Sequence, residues 1–179
     1  MANETLIRTA TTADLEAIHA LVERAYRGDA ARAGWTHEAD LLDGQRTDGA
    51  ALTEILTDPA QRLLVAEMDG RLAGCVQVSS RGQSLAYLGT LSVEPALQAG
   101  GLGRRLIEAA EREAAHAFGA ARMEMTVIRQ RAELIAYYER RGYTLTGEER
   151  PFPYGNERFG RPRTGDLAFV VLAKELRAA

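Results

Sequence analysis

Apolar positions along this chain change period repeatedly, and each change marks an element. "TLIRTAT" alternates as a short strand, and "TTADLEAIHALVERAYR" then sets Leu15, Ile18, Val22, Ala25 and Tyr26 at helical spacing, with Thr12 as candidate N-cap. Residues 28–50 are irregular until "GAALTEILTD" gives a shorter helix that ends before Pro59. "RLLVAEMDGRLAGCVQVSS" holds two β-rich runs around Asp69-Gly70, a dipeptide suited to a tight hairpin turn. "QSLAYLGTLSV" predicts a further strand, with Gly89 as candidate bulge site. In "LGRRLIEAAEREAAHAFG" the residues Leu102, Leu106, Ala109, Ala110, Ala117 and Phe118 mark one buried helical face, and Gly119 is a natural stop. "ARMEMTVI" is again a strand, "RAELIAYYERRG" a helix closed by Gly142, and "YTLTGE" and "DLAFVVLAKEL" the last two strands. Between those two lies "ERPFPYGNERFGRPRTG", too long for a minimal hairpin loop. The order β-α-α-β-β-β-α-β-α-β-β predicts a mixed sheet with helices packed on it. No repeat or linker divides it, so one domain is expected over 1–179, with its core at about 4–176.

Composition changes this picture little: 46% hydrophobic and 26% charged residues are ordinary for a globular chain. A formal net charge of −3, without any run of Lys and Arg, argues against a nucleic-acid partner and leans weakly towards cationic small molecules. Cys75 is the only cysteine, which excludes an intramolecular disulfide and a cysteine-rich zinc site. His19, His37 and His116 show no ligand spacing, so no metal is expected; His19 reads as a helix boundary residue. "MANETLIRTA" has no apolar signal core, and no apolar run reaches membrane length, so the expectation is a cytoplasmic protein with no membrane partner.

The chemistry concentrates in "SVEPALQAGGLGRRLIEAAE", where Gly100, Gly101 and Gly103 crowd between a strand end and a helix start. A bared backbone at a helix N-terminus attracts phosphate. A Walker A string is absent. A dinucleotide fingerprint finds Gly101 and Gly103, with Glu124 near its acidic position, but Leu106 stands at the third glycine, and the preceding segment reads as an antiparallel meander. A tight turn with no ligand is the plain structural reading.

"LGTLSVEPALQAGGLGRRLIEAA" resembles the coenzyme A loop of the GNAT superfamily of acyl-CoA N-acyltransferases. Gln98, Gly101 and Gly103 match its [QR]xxGx[GA] pattern behind Val93 and Pro95, and "AYYERRGY" resembles the second signature through Tyr138, Glu139, Gly142 and Tyr143. The element order from 4 to 176 is similar as well. The resemblance implies a single-domain α/β (α+β) fold: a mixed, mostly antiparallel sheet, splayed at the coenzyme site and flanked by about four helices. It implies acetyl-CoA as acyl donor. The backbone of Gln98, Ala99, Gly100, Gly101, Leu102, Gly103 and Arg104 would hold the pyrophosphate, and Leu91, Ser92 and Val93 would pair with the pantetheine arm between strands 84–93 and 122–128. Two departures stand out. Ala99 and Gly100 occupy places where relatives often carry Gly or Arg-Gly, and Arg131 replaces an asparagine seven residues before the signature tyrosine.

Acyl transfer to an amine needs a deprotonated amine, a donor to the oxyanion and a proton for the departing thiolate. The family's usual oxyanion donor is a strand N–H near Leu91. A tyrosine suits the last task because its pKa, about 10, lies near that of a thiol, about 8.5. The motif register selects Tyr138 as catalytic acid; Tyr137 lies roughly 100° around the helix. The plain alternative is a core tyrosine with its hydroxyl at the edge. No base is assigned: Tyr87, Thr90 and Ser92 hold the expected inward strand positions, Glu94 reads as solvated, and the face of Glu124 is undecided. Cys75 has no activating partner and reads as a small core residue. The acceptor is expected to be a primary amine of a small molecule or peptide, met by the 28–50 segment (with Tyr26 and Trp35) and the 149–166 loop (Phe152, Tyr154, Phe159). Arg158, Arg161 and Arg163 could equally greet an acidic substrate. A homodimer through the aromatic loop stays open, and the rival reading is a non-catalytic acyl-CoA-binding or sensing domain.

Overall fold

The computed structural model describes residues 4–32, 38 and 40–177. In chain order its elements are β1 (Thr5–Thr9), α1 (Leu15–Tyr26), α2 (Gly28–Ala31), β2 (Leu42–Asp43), α3 (Gly49–Thr57), β3 (Gln61–Met68), β4 (Arg71–Gly82) and β5 (Leu85–Val93). There follow α4 (Leu102–Phe118), β6 (Arg122–Ile128), α5 (Ala132–Glu139), β7 (Thr144–Pro151), β8 (Arg161–Pro162) and β9 (Ala168–Glu175). Seven strands form one sheet in the order β1-β3-β4-β5-β6-β9-β7, antiparallel except for the β5–β6 pair. Five α-helices are described where about four were expected; α2, of four residues, is the addition. Among the described residues no helix is long and apolar enough to cross a membrane.

Strand alternation sorts the core into two layers. Leu64, Ala66, Val76 and Val78 join Leu102, Leu106, Ile107 and Ala110 of α4, whereas Leu63, Val65 and Cys75 join Ile18, Leu21 and Val22 of α1 and Leu52 of α3. Gly74 lets α4 approach: a Cβ there would lie 2.7 Å from Leu106 Cδ1 and 3.0 Å from the Ser92 carbonyl. Asp69 and Gly70 both take positive φ, as the hairpin turn requires.

Several expectations shift by a residue or a face. The cap before α1 is Thr11, not Thr12: its backbone N–H donates to Asp14 Oδ2 at 2.8 Å, forming a capping box on a 3-10 turn. On α4 the inward stripe ends with Ala114; Ala117 is exposed and Phe118 half-buried, because Gly119 turns the chain away. The β4–β5 bulge falls at Thr90 (φ 49), not at Gly89, which still pairs with Gln77. The 149–166 loop is not free: β8 pairs with β2, which fastens it to the 28–50 segment.

Candidate active site

The glycine turn follows directly from β5. Pro95–Gly100 forms a 3-10 turn, Gly101 enters the left-handed region at φ 76, and α4 begins at Leu102. The helical ladder starts with Arg105 N–H donating to the Gly101 carbonyl at 3.2 Å, so the N–H groups of Leu102, Gly103 and Arg104 lie ahead of it. A Cβ built on Gly100 or Gly101 would meet no atom within 4 Å, so the turn has open space above its backbone. The Gln98 side chain does not reach outwards: its Nε2 donates to the Val93 carbonyl at 3.0 Å and ties the turn to the strand. Ala99, Gly100 and Arg104 are exposed, Leu102 and Gly103 buried. Free donors, a helix N-terminus and uncluttered glycines together fit the pyrophosphate of a coenzyme.

Strands β5 and β6 pair only over Leu85–Tyr87 and Arg122–Glu124. Beyond them they part, and a cleft of about 360 Å³ opens between residues 87–91 on one side and 125–128 on the other. The Thr90 bulge shapes the first wall: two residues, Thr90 and Leu91, face the single Val76 between the Gln77–Gly89 and Cys75–Ser92 pairs. A β-branched residue at positive φ is strained, and two contacts hold it there. Thr90 Oγ1 donates to Gln77 Oε1 at 3.1 Å, and the Tyr26 hydroxyl donates to the Leu91 carbonyl from α1. Burial pushes the Tyr26 hydroxyl up to about 12, so it remains a donor at all ordinary pH. Of the three strand residues singled out by the resemblance, Leu91 lines the cleft; Ser92 and Val93 are buried and do not.

Tyr138 forms part of the cleft wall beside Leu134. Its ring is held edge-on by Tyr137 (centroids 5.4 Å) and Tyr143 (6.1 Å), and Tyr143 is itself anchored by donating to Glu111 Oε1 at 2.9 Å. Tyr137 instead packs its face against the Arg141 guanidinium at 3.4 Å. The helix register thus separates the two tyrosines as expected. Burial holds the Tyr138 hydroxyl well above the ordinary tyrosine value, so it carries its proton at neutral pH.

A cluster of charge that sequence reasoning did not name lies across the cleft. Glu38 is buried and accepts from Arg27 Nη1 at 2.6 Å, with Arg131 Nη1 at 3.6 Å and Arg46 Nε at 3.9 Å. Burial acts to raise the Glu38 carboxyl, but Arg46, Arg27 and Arg131 outweigh it and hold the group below its usual value. Arg46 also lies over the Tyr26 ring at 4.9 Å, and Arg81 over the Tyr87 ring at 4.7 Å. Arg131, the departure from the family's asparagine, therefore enters a charged wall. Glu38 carried no readable signal because it sits in an irregular stretch and gains meaning only from Arg46 later in that stretch and from Arg27 and Arg131 outside it.

The remaining candidates are placed elsewhere. Ser92 Oγ donates to the Thr90 carbonyl at 3.2 Å, and Tyr87 shares a 2.7 Å hydrogen bond with Thr126, so neither is a base. Glu124 is paired with Arg150 at 3.1 Å, which also ends the dinucleotide reading. Glu94, expected to be solvated, pairs with Arg24 at 2.9 Å. Cys75 is fully buried, and burial raises its thiol to about 12. His19 is half-buried with Nε2 3.3 Å from the Thr47 carbonyl. Of the aromatic loop, Phe152 packs on Phe169 at 5.5 Å, and the Tyr154 hydroxyl donates to the Thr164 carbonyl at 3.0 Å. Arg158 is committed to Asp48 at 2.7 Å, and Arg163 lies 3.8 Å from Asp43. Trp35, His37 and the Phe159 side chain lie outside the described residues.

The site thus combines a parted pair of parallel strands, a turn with open space above its backbone at the end of one, and a buried tyrosine on the cleft wall. The family model described as "Acetyltransferase (GNAT) family" matches residues 15–143. A curated "IAA acetyltransferase" of Azospirillum brasilense is 32% identical over 160 residues, covering 87% of this chain and 92% of the relative. The ribosomal-protein-S18-alanine N-acetyltransferase of Escherichia coli superposes with a TM-score of 0.71 at 20% identity, covering 98% of this chain and 96% of that one. A Salmonella typhimurium structure that contains its cofactor acetyl-CoA gives 0.68, also at 20% identity, with 98% and 96% covered. At such identity the two structures show the fold alone. The chain belongs to the GNAT acetyltransferase family, and is an acyltransferase of that class.

Proposed function

We propose that the chain, as one catalytic domain, transfers an acetyl group from acetyl-CoA to a primary amine of a small molecule or peptide, by direct attack within a ternary complex. The observation that carries this reading is the cleft where β5 and β6 part, walled by the Thr90 bulge and Tyr138, with the glycine turn following at the end of β5. Acetyl-CoA supplies the activated acyl group; everything else falls to the chain's own residues. The backbone from Gln98 to Arg104 binds pyrophosphate, and the edge of β5 that ends in the cleft at Leu91 aligns the pantetheine arm as an added strand would. The Leu91 N–H, displaced from the regular ladder by the bulge, serves as oxyanion donor. Tyr138 delivers its proton to the leaving sulfur, a role supported by its position in the wall and its retained proton.

Proton removal from the amine is assigned to water. Glu38 is the carboxylate of the cleft wall, and the guanidiniums around it make it a poor base. The acetyl-CoA in the Salmonella structure and the activity in the Azospirillum relative's name favour this donor and this transfer. The test is thiol release from acetyl-CoA with a panel of amines, alongside calorimetric titration with coenzyme A. Turnover with binding supports the proposal. Tight binding with no turnover by any amine returns the reading to an acyl-CoA sensor, and absence of binding removes the coenzyme site.

A further inference from the structure

The cleft wall carries three arginines, Arg46, Arg81 and Arg131, against one carboxylate, Glu38. That carboxylate is already shared with Arg27 behind the wall. Glu23 lies close by, but its Oε1 is taken by the N–H groups of Arg46 and Thr47 at 2.7 and 2.9 Å. A concentration of positive charge in a chain whose net charge is −3 focuses the field inside the cleft and calls for a counter-charge. The coenzyme phosphates are not that counter-charge on the present reading, because none of residues 94–104 of the glycine turn lines this cleft. Two of the guanidiniums are also poised for a ligand. The Arg46 Nε makes no hydrogen bond, its ion pair with Glu38 being a loose 3.9 Å, and among the described residues no carboxylate lies within 4 Å of Arg81. Each is laid over a tyrosine ring, Tyr26 and Tyr87, which fixes its plane before anything binds.

We infer that the acceptor amine carries a carboxylate, and that Arg46 and Arg81 of the cleft wall receive it. A planar guanidinium matches a carboxylate in charge and in fork geometry. The cleft, about 360 Å³, also takes the end of the pantetheine arm, so the acceptor it leaves room for is a small one. The overall acidity, which leaned towards a purely cationic acceptor, is a surface sum and does not describe this wall. This inference rests on the acetyltransferase reading.

The experiment uses acceptors in triplets: an amino acid, its carboxamide and the corresponding decarboxylated amine. Thiol release gives kcat/KM for each, and calorimetry follows both coenzyme A binding and titration of each acceptor into the coenzyme complex. The carboxylate member is expected to exceed its partners at least tenfold in kcat/KM and to bind measurably more tightly. Arg46→Gln and the exposed Arg81→Gln should each bring the ratio towards one by raising KM, with Arg46→Lys keeping part of it. Equal rates and affinities across every triplet overturn the inference, as does a preference that survives in both glutamine variants, or failure of every carboxylate member while coenzyme A still binds. Failure of coenzyme A to bind falls on the acetyltransferase reading itself.

Discussion

Gly101 and Gly119 sit at opposite ends of α4 with nearly the same backbone, at φ 76 and φ 60, and a Cβ on either would meet nothing within 4 Å. Replacing each with alanine therefore separates strain from ligand contact. A non-glycine residue in the left-handed region costs about 1–2 kcal/mol, and the stiffer unfolded chain returns about 0.4–1 kcal/mol. Each variant should lose about 1 kcal/mol, a fall in Tm of about 2–4 °C for a chain of this size. Only Gly101→Ala fills the space above the turn where the pyrophosphate is proposed to rest. Loss of charge-assisted contacts there, about 1.5–3 kcal/mol, weakens coenzyme A binding at least tenfold. Melting curves and calorimetric titration of both variants make the comparison. Equal coenzyme affinity in Gly101→Ala and Gly119→Ala, with both folded, would refute the placement of the ligand on the turn.

Tyr138→Phe should lower turnover about a hundredfold or more while coenzyme affinity and Tm hold; wild-type turnover would remove Tyr138 as the acid. Thr90→Gly should be more stable than Thr90→Ala by about 1 kcal/mol, against the usual order in strands, because only glycine releases the φ 49 strain; the reverse order by chemical denaturation would show the bulge to be unstrained. The hydrogen bond from Arg8 holds the Asp14 carboxyl down at about 2, against burial. A depressed value gives stability that is complete above about 4 and lost as the pH falls through about 2. With Arg8 a third exposed, solvent screening reduces this to about 1 kcal/mol. Asp14→Asn should thus destabilise at pH 7 and have little effect at pH 2; a penalty that did not shrink on acidification would place the loss in the cap alone.

What could be read from the sequence was what neighbours along the chain decide. Asp69-Gly70 specifies its own turn, and the glycines at 100, 101 and 103 announce a bared helix start wherever the rest of the chain lies. Tyr138 was separable from Tyr137 because helix geometry alone sends them apart. The bulge was misplaced by one residue for the opposite reason. Gly89 is the permissive residue, but Gln77 and Tyr26, distant in sequence, hold Thr90 and Leu91 in the irregular conformation. The arginine wall was invisible on the same grounds: Arg46, Arg81 and Arg131 belong to three separate segments, and no spacing rule brings them together.

The last strand of this sheet in chain order, β9, is not at the margin of the sheet but between β6 and β7. Until β9 has left the ribosome, β6 and β7 have no strand to share. The glycine turn and the β3–β4–β5 meander can form well before that moment. A nascent chain would therefore complete the β3–β4–β5 meander first and close its sheet only when β9 emerges, and a premature stop before Ala168 would leave β6 an open edge ready to recruit another chain.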